Sequence, residues 1–141
     1  MKHILVAVDL SPAAHVVAKK AHDIADLFGA ELSIVYVLEY CPITCGGGEF
    51  IVPLDGETIA TLEQQAKLAL RNLGAAIGVS ERHQYLEVDS VKQAVINLAE
   101  KLKVDLLVIG SHGRHGAALL LGSAANAILH AAQCDVLAVR I

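Results

Sequence analysis

The stretch ILVAVDLSP, residues 4–12, decides the fold. Five consecutive apolar residues, Ile4 to Val8, end at a carboxylate, Asp9, and Ser11-Pro12 follows almost at once. A continuous rather than alternating apolar run predicts a strand covered on both faces, as in a parallel sheet. The serine predicts an N-cap and the proline the first position of a helix. Strand passing directly into helix is the opening of a βαβ unit.

The same alternation continues outward from this stretch. Val17, Ala21, Ile24 and Phe28 recur at helical spacing, and Gly29 supplies the stop. Further β-branched apolar runs follow at Leu32–Leu38, Gln84–Val88, Val104–Ile109 and Asp135–Ile141. Between them, residues 57–77 place Ile59, Leu62, Ala66, Leu70 and Leu73 on one helical face. A third helix is expected from Ser90, with Gln93 completing a capping box and Val91, Ala94, Val95, Leu98 and Leu102 turned inward. A short fourth helix is expected with Ser123 as cap and Ala124, Ala125, Ile128 and Ala132 along it. Five strands alternating with four helices predict an α/β, Rossmann-like fold: one parallel sheet, right-handed crossovers and helices on both faces. The 141 residues suit a single domain spanning 1–141, and the one irregular insert is Tyr40–Gly56.

Composition removes several classes of function. Hydrophobic residues make up 55% and charged residues 18%, which excludes a disordered chain. A net charge of −4 argues against a broad basic face for nucleic acid or anionic lipid, and 4% aromatics with no Trp against a base-stacking platform. The apolar run after Lys2 is interrupted at Asp9, too early for a secretory core or a membrane span, so a cytoplasmic protein is expected. Three cysteines do not make a disulfide framework. Cys41 and Cys45 form a C-x3-C without the second ligand pair of a zinc site, and Cys134 reads as a buried residue beside a strand.

In open α/β sheets ligands bind beyond the carboxyl ends of the strands, where strand order reverses. Asp9 belongs there, and so does Gly110-Ser111-His112-Gly113-Arg114-His115-Gly116, continuing to Gly122-Ser123. Three glycines in seven residues let successive N–H groups converge on an anion. The start of a helix at Gly122-Ser123 adds free amides and a hydroxyl, and Arg114 a permanently charged fork. That chemistry suits a polyphosphate. It also fits a simple glycine-rich βα turn with a serine cap, and Asp9 fits a carboxylate held by a helix dipole. Neither a Walker loop nor a dinucleotide G-x-G-x-x-G is present.

ILVAVDLSP, then VDLLVIGSHGRHG at 104–116, LLLGS at 119–123 and CDVLAVRI at 134–141 together resemble the universal stress protein family over essentially the whole chain. The resemblance implies strand order 3-2-1-4-5 and, in the ATP-binding members, glycine, two residues, glycine, nine residues, then glycine with Ser or Thr. Gly110 and Gly113 match the first pair and Gly122 and Ser123 the last, but only eight residues, Arg114 to Leu121, lie between them. Asp9 matches the acid near ribose and phosphates, and Val37 the position whose backbone holds adenine, with Ala7 on the adenine side. Ile109 and Ala124 flank the matched glycines, and Arg114 and His115 complete the expected cofactor-binding set. The resemblance further implies ATP or AMP as ligand, Mg²⁺ accompanying it, and a homodimer formed through the C-terminal strand, where Val136, Leu137, Ala138 and Val139 offer an apolar edge.

No nucleophile–base–orienter set is evident, so at most slow metal-assisted ATP hydrolysis near Asp9 is expected. His15, His22 and His130 fall on helices and are expected at the surface, whereas His112 and His115 flank the glycine-rich turn. Two other functions compete with nucleotide binding. One is a nucleotide-free dimeric interaction protein of the same fold, favoured by the eight-residue spacing. The other is a phosphotransfer receiver, which Asp9 and Asp89 superficially fit but which lacks a lysine after the fifth strand.

Overall fold

The computed structural model describes residues 1–9, 11–39, 56–111 and 122–141. In chain order the elements are β1 (His3–Val8), α1 (Ala14–Phe28), β2 (Glu31–Leu38), α2 (Gly56–Ala76), a single 3₁₀ turn (Glu81–His83), β3 (Gln84–Val88), α3 (Val91–Lys101), β4 (Leu106–Gly110), α4 (Ser123–Ala131) and β5 (Asp135–Val139). Residues 40–55 of the Tyr40–Gly56 insert, with Cys41 and Cys45, and residues 112–121, with Gly113, Arg114 and His115, lie outside the described residues, whereas Gly56 opens α2.

The sheet order is β3-β2-β1-β4-β5, and every neighbouring pair is parallel. This is the order the resemblance implies. The continuous apolar runs are explained by burial on both faces. Ile4, Val6 and Val8 pack with Val17, Ala18, Ala21 and Ala25 of α1 and with Leu70 and Leu73 of α2. Leu5, Val35, Val37, Leu107 and Ile109 face the other way, against Val95 and Leu98 of α3 and Ala125 and Ile128 of α4. Strand alternation with period two divides one apolar sequence between two cores.

Helix boundaries differ from expectation where side chains compete for the same backbone groups. Ser11 does not cap α1. Its N–H donates to Asp9 Oδ1 at 3.0 Å and its hydroxyl donates to the same oxygen, while α1 starts at Ala14 behind Ala13 without a side-chain cap. An aspartate that accepts the N–H two residues on builds its own turn and takes the serine out of the capping role. At the far end Gly29 adopts φ 62° and Ala30 N–H donates to Ala25 O at 2.8 Å, the left-handed stop that was expected. Phe28, the last of the residues recurring at helical spacing, is 59% exposed. Gly29 turns the chain toward Glu31, which pairs with His3 at the amino edge of the sheet, so the last turn of α1 lies at that edge.

The capping box of α3 is half formed. Ser90 Oγ accepts from Gln93 N–H at 3.3 Å, but Gln93 Nε2 donates to Asn97 Oδ1 and Asp89 Oδ1 accepts from Ser90 N–H instead. On α4 the cap is Gly122, and Ser123 is the first helical residue. Cys134 is half-buried rather than buried, and desolvation, followed by the nearby Asp135 and Asp105 charges, pushes its thiol up from the ordinary value.

One tether was not legible beforehand. Asp105, just before β4, accepts from Lys2 N–H at 2.7 Å and His3 N–H at 2.9 Å through Oδ2, joining the amino ends of β1 and β4. These two backbone donations, Lys2 first, hold its carboxyl below the usual carboxylate range. Folding therefore favours the ionised form. The stabilisation is complete above the unfolded carboxylate value and is lost as pH falls through the native one. Asp105→Ala is expected to lower the urea midpoint at pH 7, with the difference from the unmutated chain shrinking on acidification. A difference independent of pH would contradict the tether.

Candidate functional site

β1 and β4 are adjacent strands, yet α1 follows β1 onto one face and α4 follows β4 onto the other. The chain diverges at their carboxyl ends and leaves a cleft of about 570 Å³. Ala7, Asp9, Val37, Ile109, Gly110, Gly122, Ser123 and Ala124 all line it, which is every described residue of the expected binding set.

The wall on the α4 side is held by Ser111. Its N–H donates to Val139 O at 2.8 Å, its carbonyl accepts from Gly122 N–H at 2.7 Å, and its hydroxyl accepts from Ile141 N–H at 3.4 Å. One buried serine thus fixes the end of β4, the start of α4 and the end of β5 together. Gly122, in extended conformation, starts the helix by accepting from Asn126 N–H at 2.9 Å. α4 has no side-chain cap and no acidic residue in its first turn, so the amides of Ser123, Ala124 and Ala125 find no partner among the described residues. This corner carries the positive end of the helix dipole.

Elsewhere the cleft changes character. Val37, Val95, Ala125 and Ile128 form a buried apolar floor. Asp9 and Glu39 stand at the ends of β1 and β2 on the opposite side. Apolar floor, amide-rich corner and carboxylate rim together suit a ligand with a flat apolar part, an anionic part and hydrogen-bond donors. Among the described residues no group of three His, Cys, Asp or Glu could hold a metal ion.

No described histidine reaches the cleft. His15 and His130 are exposed, as expected. His22 pairs with Asp26 at 3.3 Å, His83 with Glu31 at 3.0 Å, and His3 shares a hydrogen bond with the buried Ser33 hydroxyl at 2.7 Å. Among the residues that sequence reasoning missed are Val95 and Ile128 on the floor, Glu39 and Ile141 on the rim, and Ser111 behind them. Val95 and Ile128 were read only as helix core, and position in a helix does not reveal that one end of a core faces a crevice.

The fold and the cleft define a Rossmann-like α/β protein with a crevice at its topological switch point. The chain belongs to the universal stress protein family, whose model matches residues 1–140. It is 47% identical over 138 residues to universal stress protein A homolog 1 of Coxiella burnetii, covering 98% of this chain and 95% of that one. Among solved structures, a universal stress protein in complex with cAMP aligns over 99% of this chain and 96% of its own at 24% identity and TM-score 0.65. The universal stress protein from Archaeoglobus fulgidus in complex with dAMP aligns over 98% and 97% at 21% identity and TM-score 0.63. These two share the fold with this chain.

Proposed function

We propose that this chain binds an adenine nucleotide, ATP or AMP, in the cleft between β1 and β4, and acts as a dimeric cytoplasmic regulatory module of a single domain. The observation that carries the reading is the pairing of an uncapped, acid-free start of α4 with an apolar floor in one crevice. The amides of Ser123 and Ala124 receive phosphate oxygens, and Val37 and Ala7 border the base. Gly110 and Ile109 line the path between them. Gly113, Arg114 and His115 join the site on the strength of the matched motif. Mg²⁺ arrives on the phosphates, with Asp9 the nearest carboxylate to that path. The cAMP and dAMP complexes of two proteins of this fold support the ligand class.

β5 is an edge strand with Val136 and Leu137 half-buried and Ala138 exposed, which supports pairing of two copies along it. Among the described residues no helix is long and apolar enough to cross a membrane. The eight-residue spacing between Gly113 and Gly122 favours a second reading, the same dimer without a nucleotide.

Thermal unfolding separates the two. At a hundredfold excess of ATP over Kd, binding to the native state adds about 2.7 kcal/mol, roughly 8 °C in Tm for a chain of this size. A Tm that does not move with millimolar ATP, ADP or AMP, with or without Mg²⁺, would favour the nucleotide-free protein.

A further inference from the structure

We infer that Glu39 accepts a hydrogen bond from the exocyclic amino group of the bound base and helps the cleft select adenine; the inference rests on the adenine-nucleotide reading above. In the sheet order β3-β2-β1-β4-β5 the ligand of that reading lies across three strands. Its base rests on Val37 of β2 and Ala7 of β1, its sugar passes Asp9, and its phosphates run past Gly110 of β4 to the start of α4. A purine nucleotide carries its sugar on the five-membered ring, and adenine carries its amino group on the six-membered ring, at the opposite end of the base. With the sugar directed from β2 toward β4, the amino-bearing edge points the other way, to the end of β2.

Glu39 stands at that end. The last register pair of β1 and β2 is Val8 with Tyr36, and β2 runs on to Leu38, so its end overhangs the end of β1. Val37 faces the core formed with α3 and α4, and the two-residue alternation returns Glu39 to the same side, where it lines the cleft. Its carboxylate is exposed and makes no hydrogen bond or ion pair among the described residues. Asp9, the other acid of the rim, already accepts through Oδ1 from the N–H and hydroxyl of Ser11. The apolar floor of Val37, Val95 and Ile128 holds the face of a flat ring without telling one base from another. Discrimination falls to polar groups at the ring's edge. An ionised carboxylate only accepts hydrogen bonds, and the adenine amino group donates them. A purine with hydrogen or a carbonyl oxygen on the same carbon offers no donor there, and the oxygen is repelled.

Calorimetric titration of the unmutated chain and of Glu39→Ala, each with ATP and with purine riboside triphosphate, tests the inference. The second ligand is ATP with hydrogen in place of the amino group, so its sugar and charge are the same. The preference for ATP, read as the ratio of the two Kd values, is expected to be about fivefold greater in the unmutated chain than in Glu39→Ala. That is less than a fully desolvated charged hydrogen bond gives, because the carboxylate is exposed. Loss of one negative charge from the rim changes both affinities alike and cancels in the ratio. The ligand-free Tm is expected to be unchanged, since the side chain is exposed. A preference no greater in the unmutated chain than in the variant would overturn the inference and leave the nucleotide reading in place. An unmutated chain that binds neither ligand would overturn both.

Discussion

Leu107→Ala is expected to lower the free energy of unfolding by about 3.5 kcal/mol, the middle of the range for a fully buried leucine cut back in a close-packed core. Leu107 is 0% exposed in β4 and packs in the core formed with α3 and α4, with Val136 beside it in register on β5. The cost combines lost transfer free energy with a cavity that two helices and a twisted sheet cannot collapse to fill. Leu27→Ala provides the contrast. That leucine is 82% exposed on α1, and its removal should change stability by no more than about 0.5 kcal/mol. Urea unfolding of both variants measures the difference. Similar losses at the two positions would mean that the core is not divided between the helices as described.

The second large effect is expected at Ala124→Glu. Ala124 is the exposed second residue of α4 and lines the cleft. An acid in the first turn of a helix interacts favourably with the dipole, so the variant should fold with equal or slightly greater stability. The same carboxylate stands where the phosphates are proposed to rest. Two unit charges 4 Å apart at an effective dielectric constant of 20 repel by about 4 kcal/mol, so ATP affinity should fall by at least about a hundredfold. Ala124→Gln, of similar size and neutral, should lose far less. A Glu variant that keeps its ATP-induced rise in Tm would place the phosphates elsewhere.

Much of this fold could be read from runs of residues. Ile4–Val8 and Leu106–Ile109 are apolar on both parities because helices cover both faces of β1 and β4, so their continuity was itself the signal. The site was legible where backbone chemistry leaves a composition mark. Gly122 and Ser123 announce a helix start, and Asp9 a strand end, and both line the cleft. What could not be read are contacts whose partners lie far apart in sequence or compete locally. Nothing near Asp105 reveals that it accepts from the amides of Lys2 and His3. Ser11 looked like a cap because its position fits, and the carboxylate two residues earlier claimed it first. Ser111 looked like a loop serine, yet its carbonyl and amide fasten α4 and β5 to the end of β4.

The central claim is that the first amides of α4 receive the phosphates of an adenine nucleotide. Amide NMR of the uniformly ¹⁵N-labelled chain during an ATP titration tests it most directly. The account predicts the largest saturable shifts at Ser123, Ala124 and Gly110, with the amide of Phe28, at the opposite edge of the sheet, unmoved. Saturable shifts that leave Ser123 and Ala124 in place, or a spectrum indifferent to ATP, would contradict it.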